Sequence, residues 1–288
     1  MKDKTENKEV EIEGKTTRPF LRWAGGKSWL VNDISSKLTI SFNNYHEPFL
    51  GSAAIFIKLK SEGKIKHKAY LNDINTELIN AYRQIKNHPD EVCNLLRTYR
   101  NNEIFYYRVR GRDTSDNIQK ASNFIYLNRT CFNGIYRVNL DGEFNVPFGF
   151  KTYRPLFDYD NMTQMHDLLK ANVRLISKDF FDILENIKKN DLVFIDPPYT
   201  VNHENNGFIK YNEKIFSWQD QIRLKIFIKE VIKKKAYFIL TNASHESIYQ
   251  LFGDITKPVR KERISLIGGK NATRGMIHEY VFSNCLKK

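Results

Sequence analysis

The chain has 288 residues, with 46 Lys and Arg against 33 Asp and Glu, a formal net charge of +13. With 41% hydrophobic residues it can bury a sizeable core, which excludes wholesale disorder, and its apolar runs are far shorter than the ~20 residues of a membrane span. The charge surplus fits two readings equally, a codon-driven or solubilising excess of Lys or a polyanionic partner.

The three cysteines, Cys93, Cys131 and Cys285, are scattered and outside any CxxC pattern, which argues against a disulfide framework or structural zinc and fits a reducing cytosol. No His/Cys/Asp cluster has metal-ligand spacing, since His203, His245 and His278 stand apart. Residues Met1 to Thr16 are polar, charged and aperiodic, without a secretory h-region, and read as a flexible tail.

From Asn44 the text alternates strands with helices. Strands are predicted at Asn44–Phe49, Lys68–Leu71, Val173–Ser177, Asp191–Ile195 and Lys235–Thr241. Helices are predicted at Ala53–Lys60, Ile74–Lys86 and Ser217–Lys234. This order implies a mainly parallel sheet with ligands at the carboxyl ends of its strands. Between Pro89 and about Tyr159 the chain changes character, with helices at Asp90–Tyr99 and Asn117–Leu127. A hairpin is expected about Leu140-Asp141-Gly142-Glu143, because Asp-Gly tolerates positive φ. The block reads as an insertion into the α/β domain.

Two segments carry chemistry. Glu47-Pro48-Phe49-Leu50-Gly51-Ser52-Ala53 passes from strand through a small-residue turn into a helix, a shape that lets a ligand approach the backbone at a helix start. Asp73 lies 22 residues beyond Gly51, at the end of the next strand. A carboxylate there can accept hydrogen bonds from both hydroxyls of a ribose, although the Asn72-Asp73-Ile74-Asn75 text equally permits a helix N-cap.

The second segment is Asp196-Pro197-Pro198-Tyr199, directly after four apolar residues. The prolines remove two N–H donors and stiffen the exit. What remains is a pair of acceptors, the Asp196 carboxylate and the Pro197 carbonyl, beside the Tyr199 ring. A planar base with an exocyclic amino group suits that wall, donating to both acceptors and stacking on the ring.

In one fixed order these segments resemble the D12 (Dam/DpnM-like) class of DNA adenine-N6 methyltransferases. Phe20-Leu21-Arg22-Trp23-Ala24-Gly25-Gly26-Lys27 resembles the family's opening motif, Glu47-Pro48-Phe49 with Gly51 its cofactor motif, and Leu71-Asn72-Asp73-Ile74-Asn75 its ribose segment. Asp196-Pro197-Pro198-Tyr199 is similar to its catalytic tetrapeptide. Phe132-Asn133-Gly134-Ile135-Tyr136-Arg137 through Asn145-Val146-Pro147-Phe148-Gly149 resembles its recognition hairpin, and Arg263 to Asn284, with Gly268-Gly269 and Glu279, its C-terminal segment.

That resemblance implies an α/β Rossmann-like methyltransferase core, residues 17–80 and 158–288, interrupted by a mainly helical target-recognition domain with a β-hairpin over residues 81–157. It implies S-adenosylmethionine as cofactor and no metal. Cofactor contacts carry over onto Trp23, Lys27, Glu47, Phe49, Asp73, Asp179, Phe180 and Asp196, and catalysis onto Asp196, Pro197 and Tyr199. DNA contacts carry over onto Arg22, Phe132, Asn133, Ile135, Arg137 and Pro147, with Arg137 on a guanine edge and Phe132 as a wedge. The implied partner is double-stranded DNA, modified at GATC after base flipping. The implied setting is a cytoplasmic, bacterial or phage-encoded enzyme that could pair with a cognate restriction endonuclease, with no obligate protein partner and no membrane. One departure stands out: Ala53 replaces the second glycine of the cofactor turn, and its methyl group is expected to narrow that turn. Adenine methylation at another site or on RNA, glutamine methylation, and an inactive DNA-binding module are the competing readings. Asp rather than Asn at position 196 and the long hairpin-bearing insertion speak against glutamine. The intact tetrapeptide with Trp23, Lys27 and Asp73 speaks against an inactive module.

Overall fold

The computed structural model describes residues 16–139, 141–200, 216–264 and 276–287. The expected tail over Met1–Thr16 falls almost wholly outside the described residues, as do Leu140 of the hairpin turn and Gly268-Gly269.

Four consecutive apolar residues, Leu192-Val193-Phe194-Ile195, form β4 (Leu192–Ile195), buried on both faces as a central parallel strand must be. Its parallel neighbours are β1 (Tyr45–Glu47) and β5 (Tyr237–Ala243); β2 (Ala69–Asn72) and β3 (Val173–Ile176) continue the parallel set beyond β1. β1 is shorter than the sequence suggests because Pro48 has no N–H to continue the ladder.

Two further strands, β6 (Val259–Ile264) and β7 (Met276–Ser283), extend the edge beside β5, β7 running antiparallel to both neighbours. Among the described residues the seven-stranded order is β3-β2-β1-β4-β5-β7-β6. The chain reverses direction across the sheet between β1 and β4, the crevice where open α/β sheets bind ligands. At the opposite end of these two strands, the Asp191 carboxylate receives His46 Nε2 at 2.8 Å and the Asn44 and Lys188 backbone amides at 3.0 and 2.9 Å. Both His46 and Asp191 are fully buried, a polar staple at the edge away from the crevice.

The helices follow the sequence signals. α1 (Val31–Lys37) and α2 (Ala54–Ser61) flank β1, and α3 (Thr76–Asn87) starts from Asn75, whose side chain accepts from Leu78 N. α4 (Pro89–Arg97), α5 (Glu103–Arg110) and α6 (Asn117–Thr130) come before the hairpin, with α7 (Tyr159–Lys170) after it. α8 (Trp218–Lys233) opens with a Ser217/Asp220 capping box, and α9 (Glu246–Phe252) precedes β6. The insertion boundary expected between residues 80 and 81 falls inside α3, whose helical turns run on to Asn87. α6 is buried on almost every side, polar Ser122, Asn123, Asn128 and Thr130 included, because it is enclosed by α3, α4 and α5, and one continuous buried cluster joins Ile125 and Tyr106 to Leu71 and Phe194. The inserted helices therefore share a core with the sheet.

Candidate active site

Four carboxylates and one ammonium meet at the carboxyl ends of the central strands. Glu47 is the last residue of β1, Asp73 follows β2, Asp196 follows β4, and Glu279 comes from β7. Lys27, in the loop before α1, reaches in from outside the sheet and is buried. Its Nζ lies 2.6 Å from Asp196 Oδ1 and 2.8 Å from Oδ2, donates to Gly25 O at 2.7 Å, and stands 3.8 Å from Glu279 Oε2. Thr241 Oγ1 on β5 donates to Asp196 Oδ1 at 2.7 Å. Both oxygens of the Asp196 carboxylate are thus held, fixing its plane.

Tyr199 closes the group. Its hydroxyl donates to Glu279 Oε2 at 2.6 Å, and Lys27 Nζ sits 5.1 Å from its ring centroid. Pro197 is buried and Pro198 half-buried, so the tetrapeptide is rigid from backbone and side chain alike. Burial raises the Asp196 carboxyl, opposed by Lys27 and Thr241. The same cause pushes Glu47 up to about 8, against the 2.7 Å hydrogen bond from Tyr45 OH and helped by the charge of Asp196. Asp73 rises to about 6 by burial, opposed by two backbone amides.

Those amides bear on the helix-cap reading of Asp73. Gly51 N donates to its Oδ2 at 3.1 Å and Asn75 N to its Oδ1 at 3.0 Å, while Asn75 itself caps α3. Asp73 therefore ties the turn after β1 to the turn after β2 and is not the helix cap. Gly51 has φ 45°, and a Cβ built there would meet Trp23 Cδ1 at 2.7 Å, so the Trp23 ring lies on bare backbone. Ala53 carries the left-handed conformation, φ 58° and ψ 25°, at the start of α2 with its methyl fully buried. The substitution is felt in the backbone, a region that L-residues other than glycine enter at a cost.

Asp179 and Phe180 form a second group. Asp179 caps its own turn through Phe181 N at 2.9 Å and pairs with Arg223 at 2.8 Å, whose guanidinium lies 5.0 Å over the Phe180 ring. Phe180 is buried against Phe49, Phe216 and Phe227, so Phe49, two residues beyond Glu47, links this group to the carboxylates.

The other residues named from sequence are Arg22 and, in one later segment, Phe132 to Pro147. Arg22 N donates to Asn128 Oδ1 at 2.8 Å, and its NH1 to Tyr153 OH at 3.0 Å. Gly134 (φ 65°) packs on the Arg22 side chain so closely that a Cβ would lie 2.8 Å from it. Phe132 is 49% exposed, and its N–H donates to Pro147 O at 2.9 Å, which sets those two side by side. Asn133 is exposed with φ 54°, and Ile135 is half-buried. Arg137 Nε donates to Asn145 Oδ1 at 2.7 Å and NH2 to Asn145 O at 3.3 Å, a clamp that orients the guanidinium on the hairpin surface. The hairpin itself is slight, bridged at Val138 and Phe144 with Asn139 N on Glu143 O at 2.9 Å.

Sequence reasoning did not assign Thr241, Tyr45, Asn128 or Tyr136 to the site, and it met Glu279 only within a C-terminal segment. Thr241 and Glu279 sit on strands next to β4 in space and far from it in sequence. Among the described residues no group of three or more His, Cys, Asp or Glu side chains is placed to hold a metal ion, and no helix is long and apolar enough to cross a membrane.

The residues present fit a nucleoside sulfonium. The Trp23 ring laid on the Gly51 turn offers a flat wall, Asp73 places a carboxylate at its edge, and the Asp196 and Glu279 carboxylates flank Lys27 where a cation would lie. The family model for D12 class N6 adenine-specific DNA methyltransferases matches residues 23–266. The type II methyltransferase M1.LlaDCHI of Lactococcus lactis subsp. cremoris is 33% identical over 277 residues, covering 93% of this chain and 95% of the relative. The type II methyltransferase M.MjaIII of Methanocaldococcus jannaschii is 33% identical over 290 residues, covering 93% and 99%. A DNA adenine methylase of Haemophilus influenzae is 33% identical over 231 residues, covering 77% and 78%. The chain belongs to the D12 class of N6 adenine-specific DNA methyltransferases, enzymes that use S-adenosylmethionine.

Proposed function

We propose that this enzyme methylates N6 of an adenine turned out of duplex DNA, within GATC, and that Asp196, Pro197 and Tyr199 do the chemistry. The observation that carries this reading is the Asp196 carboxylate, fixed at the sheet reversal by Lys27 and Thr241 with the Tyr199 ring beside it. S-adenosylmethionine supplies an electrophilic methyl group on a sulfonium. Trp23 and Gly51 form its seat, Asp73 accepts from the ribose hydroxyls, and Glu47, Phe49, Asp179 and Phe180 line the remainder.

An adenine amino nitrogen is a poor nucleophile because its lone pair is delocalised into the ring. Asp196 and the Pro197 carbonyl accept its two N–H groups, favour a tetrahedral nitrogen and aim the lone pair, so the gain is orientation and electrostatics. Before the base can use Asp196, the Lys27 ammonium must move off the carboxylate. Glu279, 3.8 Å away, gives it another acceptor. Tyr199, held by Glu279, keeps its ring as the stacking face, which offsets part of the few kcal/mol spent in unstacking the base.

Arg137 reads a guanine edge in this account, since bidentate guanidinium geometry matches O6 and N7. Arg22 contacts the first base pair, Phe132 enters the stack, and Asn133, Ile135 and Pro147 touch neighbouring bases. GATC rests on the likeness of the recognition segment to its family. A role beside a restriction endonuclease is suggested by the relatives named type II methyltransferases.

The experiment is to treat plasmid DNA with the enzyme and S-adenosylmethionine, then digest it with nucleases that differ in sensitivity to adenine methylation at GATC. Protection confined to the sensitive nuclease is the expected result. Modified adenine elsewhere with every GATC unmodified contradicts the site assignment.

A further inference from the structure

The segment from Arg18 to Lys27 lacks regular structure, yet it is stitched to both parts of the fold. Asn161 bonds Arg18 at N–H and C=O (2.8 and 2.9 Å), and Asn128 bonds Arg22 the same way (2.8 and 2.7 Å), so two helix side chains on α7 and α6 grip it like a strand partner. At its far end Lys27 holds Asp196. Between these anchors the Trp23 indole rests on Gly51, within the cofactor turn, and two aromatic rings lie against it. Tyr136 of the recognition hairpin is stacked on it at 5.6 Å and 22°, and Phe124 of α6 leans on both rings at 6.5 and 5.5 Å. Phe144, across the hairpin, packs on Tyr136 at 5.8 Å.

Beside the hairpin lies an open cleft of about 320 Å³ whose walls include Tyr136, Gly142 and Phe144 as well as Glu77 of α3. The hairpin is tied to the helices by Tyr106 OH on Val146 O at 2.7 Å and Gly149 N on Thr130 O at 2.9 Å, and its tie to Trp23 is the Tyr136 ring. Offset aromatic pairs of this kind add stabilisation beyond the area they bury. That is enough to shift a marginal equilibrium between a hairpin seated on Trp23 and one lifted off it by a measurable factor.

We infer that Tyr136 is a positioning residue that couples the cofactor turn to the recognition hairpin, so that S-adenosylmethionine and cognate duplex each raise the other's affinity through the Gly51–Trp23–Tyr136 stack. The inference rests on the functional reading above. Ligand pressing on the Gly51 turn steadies the Trp23 ring, a steady ring seats Tyr136, and a seated hairpin presents Arg137 and Phe132 to DNA. By linkage the factor is the same in either direction.

The test uses S-adenosylhomocysteine as probe, titrated calorimetrically into the full-length protein alone, with a GATC duplex, and with a duplex lacking GATC. The GATC duplex is expected to tighten binding at least threefold in the wild type and in Tyr136→Phe. In Tyr136→Ala the factor is expected to fall to about one, with affinity in the absence of DNA kept within twofold. A full coupling factor in Tyr136→Ala, or none in a wild type that binds both ligands, overturns the inference and leaves the function standing. A wild type that binds neither ligand overturns both. A second measurement leaves Tyr136 in place: with Trp29 and Trp218 replaced by Phe, the emission of Trp23 is expected to respond to S-adenosylhomocysteine and, separately, to the GATC duplex. Response to the probe with none to the duplex also overturns the coupling.

Discussion

Ala53 holds a left-handed backbone, φ 58°, where no side chain is favoured, and its methyl group is buried. The strain of ~1–2 kcal/mol for an L-residue there exceeds the extra entropy that glycine loses on folding. Ala53→Gly is therefore expected to stabilise the protein by ~0.5–1 kcal/mol in urea unfolding, and a loss of stability would show that the methyl's packing outweighs the strain. Glu47 makes a prediction of opposite character. Its carboxyl is pushed up to about 8, above the ordinary value near 4.5, so the folded chain keeps a proton that the unfolded chain releases. The stability it contributes is complete below about pH 4.5 and is lost as pH rises toward 8. Asp73, raised to about 6, adds to the loss over the lower part of that range. The melting temperature without ligand should fall between pH 5 and 8, and fall less in Glu47→Gln; parallel profiles for the two proteins would contradict the assignment.

At the scale of elements, the two ends of β1 and β4 do different work. Removing Asp191 leaves the His46 ring nitrogen and two backbone amides without their acceptor at a buried position, and each such loss costs ~1–3 kcal/mol. Asp191→Ala should lower stability by about 3 kcal/mol or more while kcat, measured well below the new melting temperature, stays within about twofold. A large drop in kcat would mean that the far end of the sheet reaches the chemistry. The same contrast explains what sequence could tell. Strands β2 to β5 are mostly apolar segments closed by polar or proline text, and α3 and α8 carry their own caps, so pattern and chemistry agree. β7 was not legible because Glu279 breaks its apolar alternation, although here the carboxylate points inward to Tyr199 and Lys27. α5 mixes aromatic residues with arginines and α7 scatters Met and Leu among polar residues, and their buried stripes appear only against α6 and α3. Asp73 and Asp196 stood out because a strand exit announces them; Thr241 looks like an ordinary strand residue until β5 is laid beside β4.

Over the whole molecule, the +13 charge now divides by role. Arg22 and Arg137 are each held by hydrogen bonds, and in the proposed function they read bases while exposed lysines neutralise phosphates. Affinity for duplex DNA should fall by roughly three orders of magnitude between 50 and 200 mM salt, as for proteins making several phosphate contacts. The preference for GATC over another sequence should change far less over that range, and a preference that collapsed in step with affinity would place specificity in the phosphates.

The most direct test of the account is mass analysis of the nucleosides released from duplex DNA after incubation with S-adenosylmethionine and either the wild type or Asp196→Ala. The wild type should yield N6-methyladenine, and Asp196→Ala less than a tenth as much, with its melting temperature and duplex affinity largely retained. N6-methyladenine at more than a tenth of the wild-type level from Asp196→Ala would contradict the role given to that carboxylate.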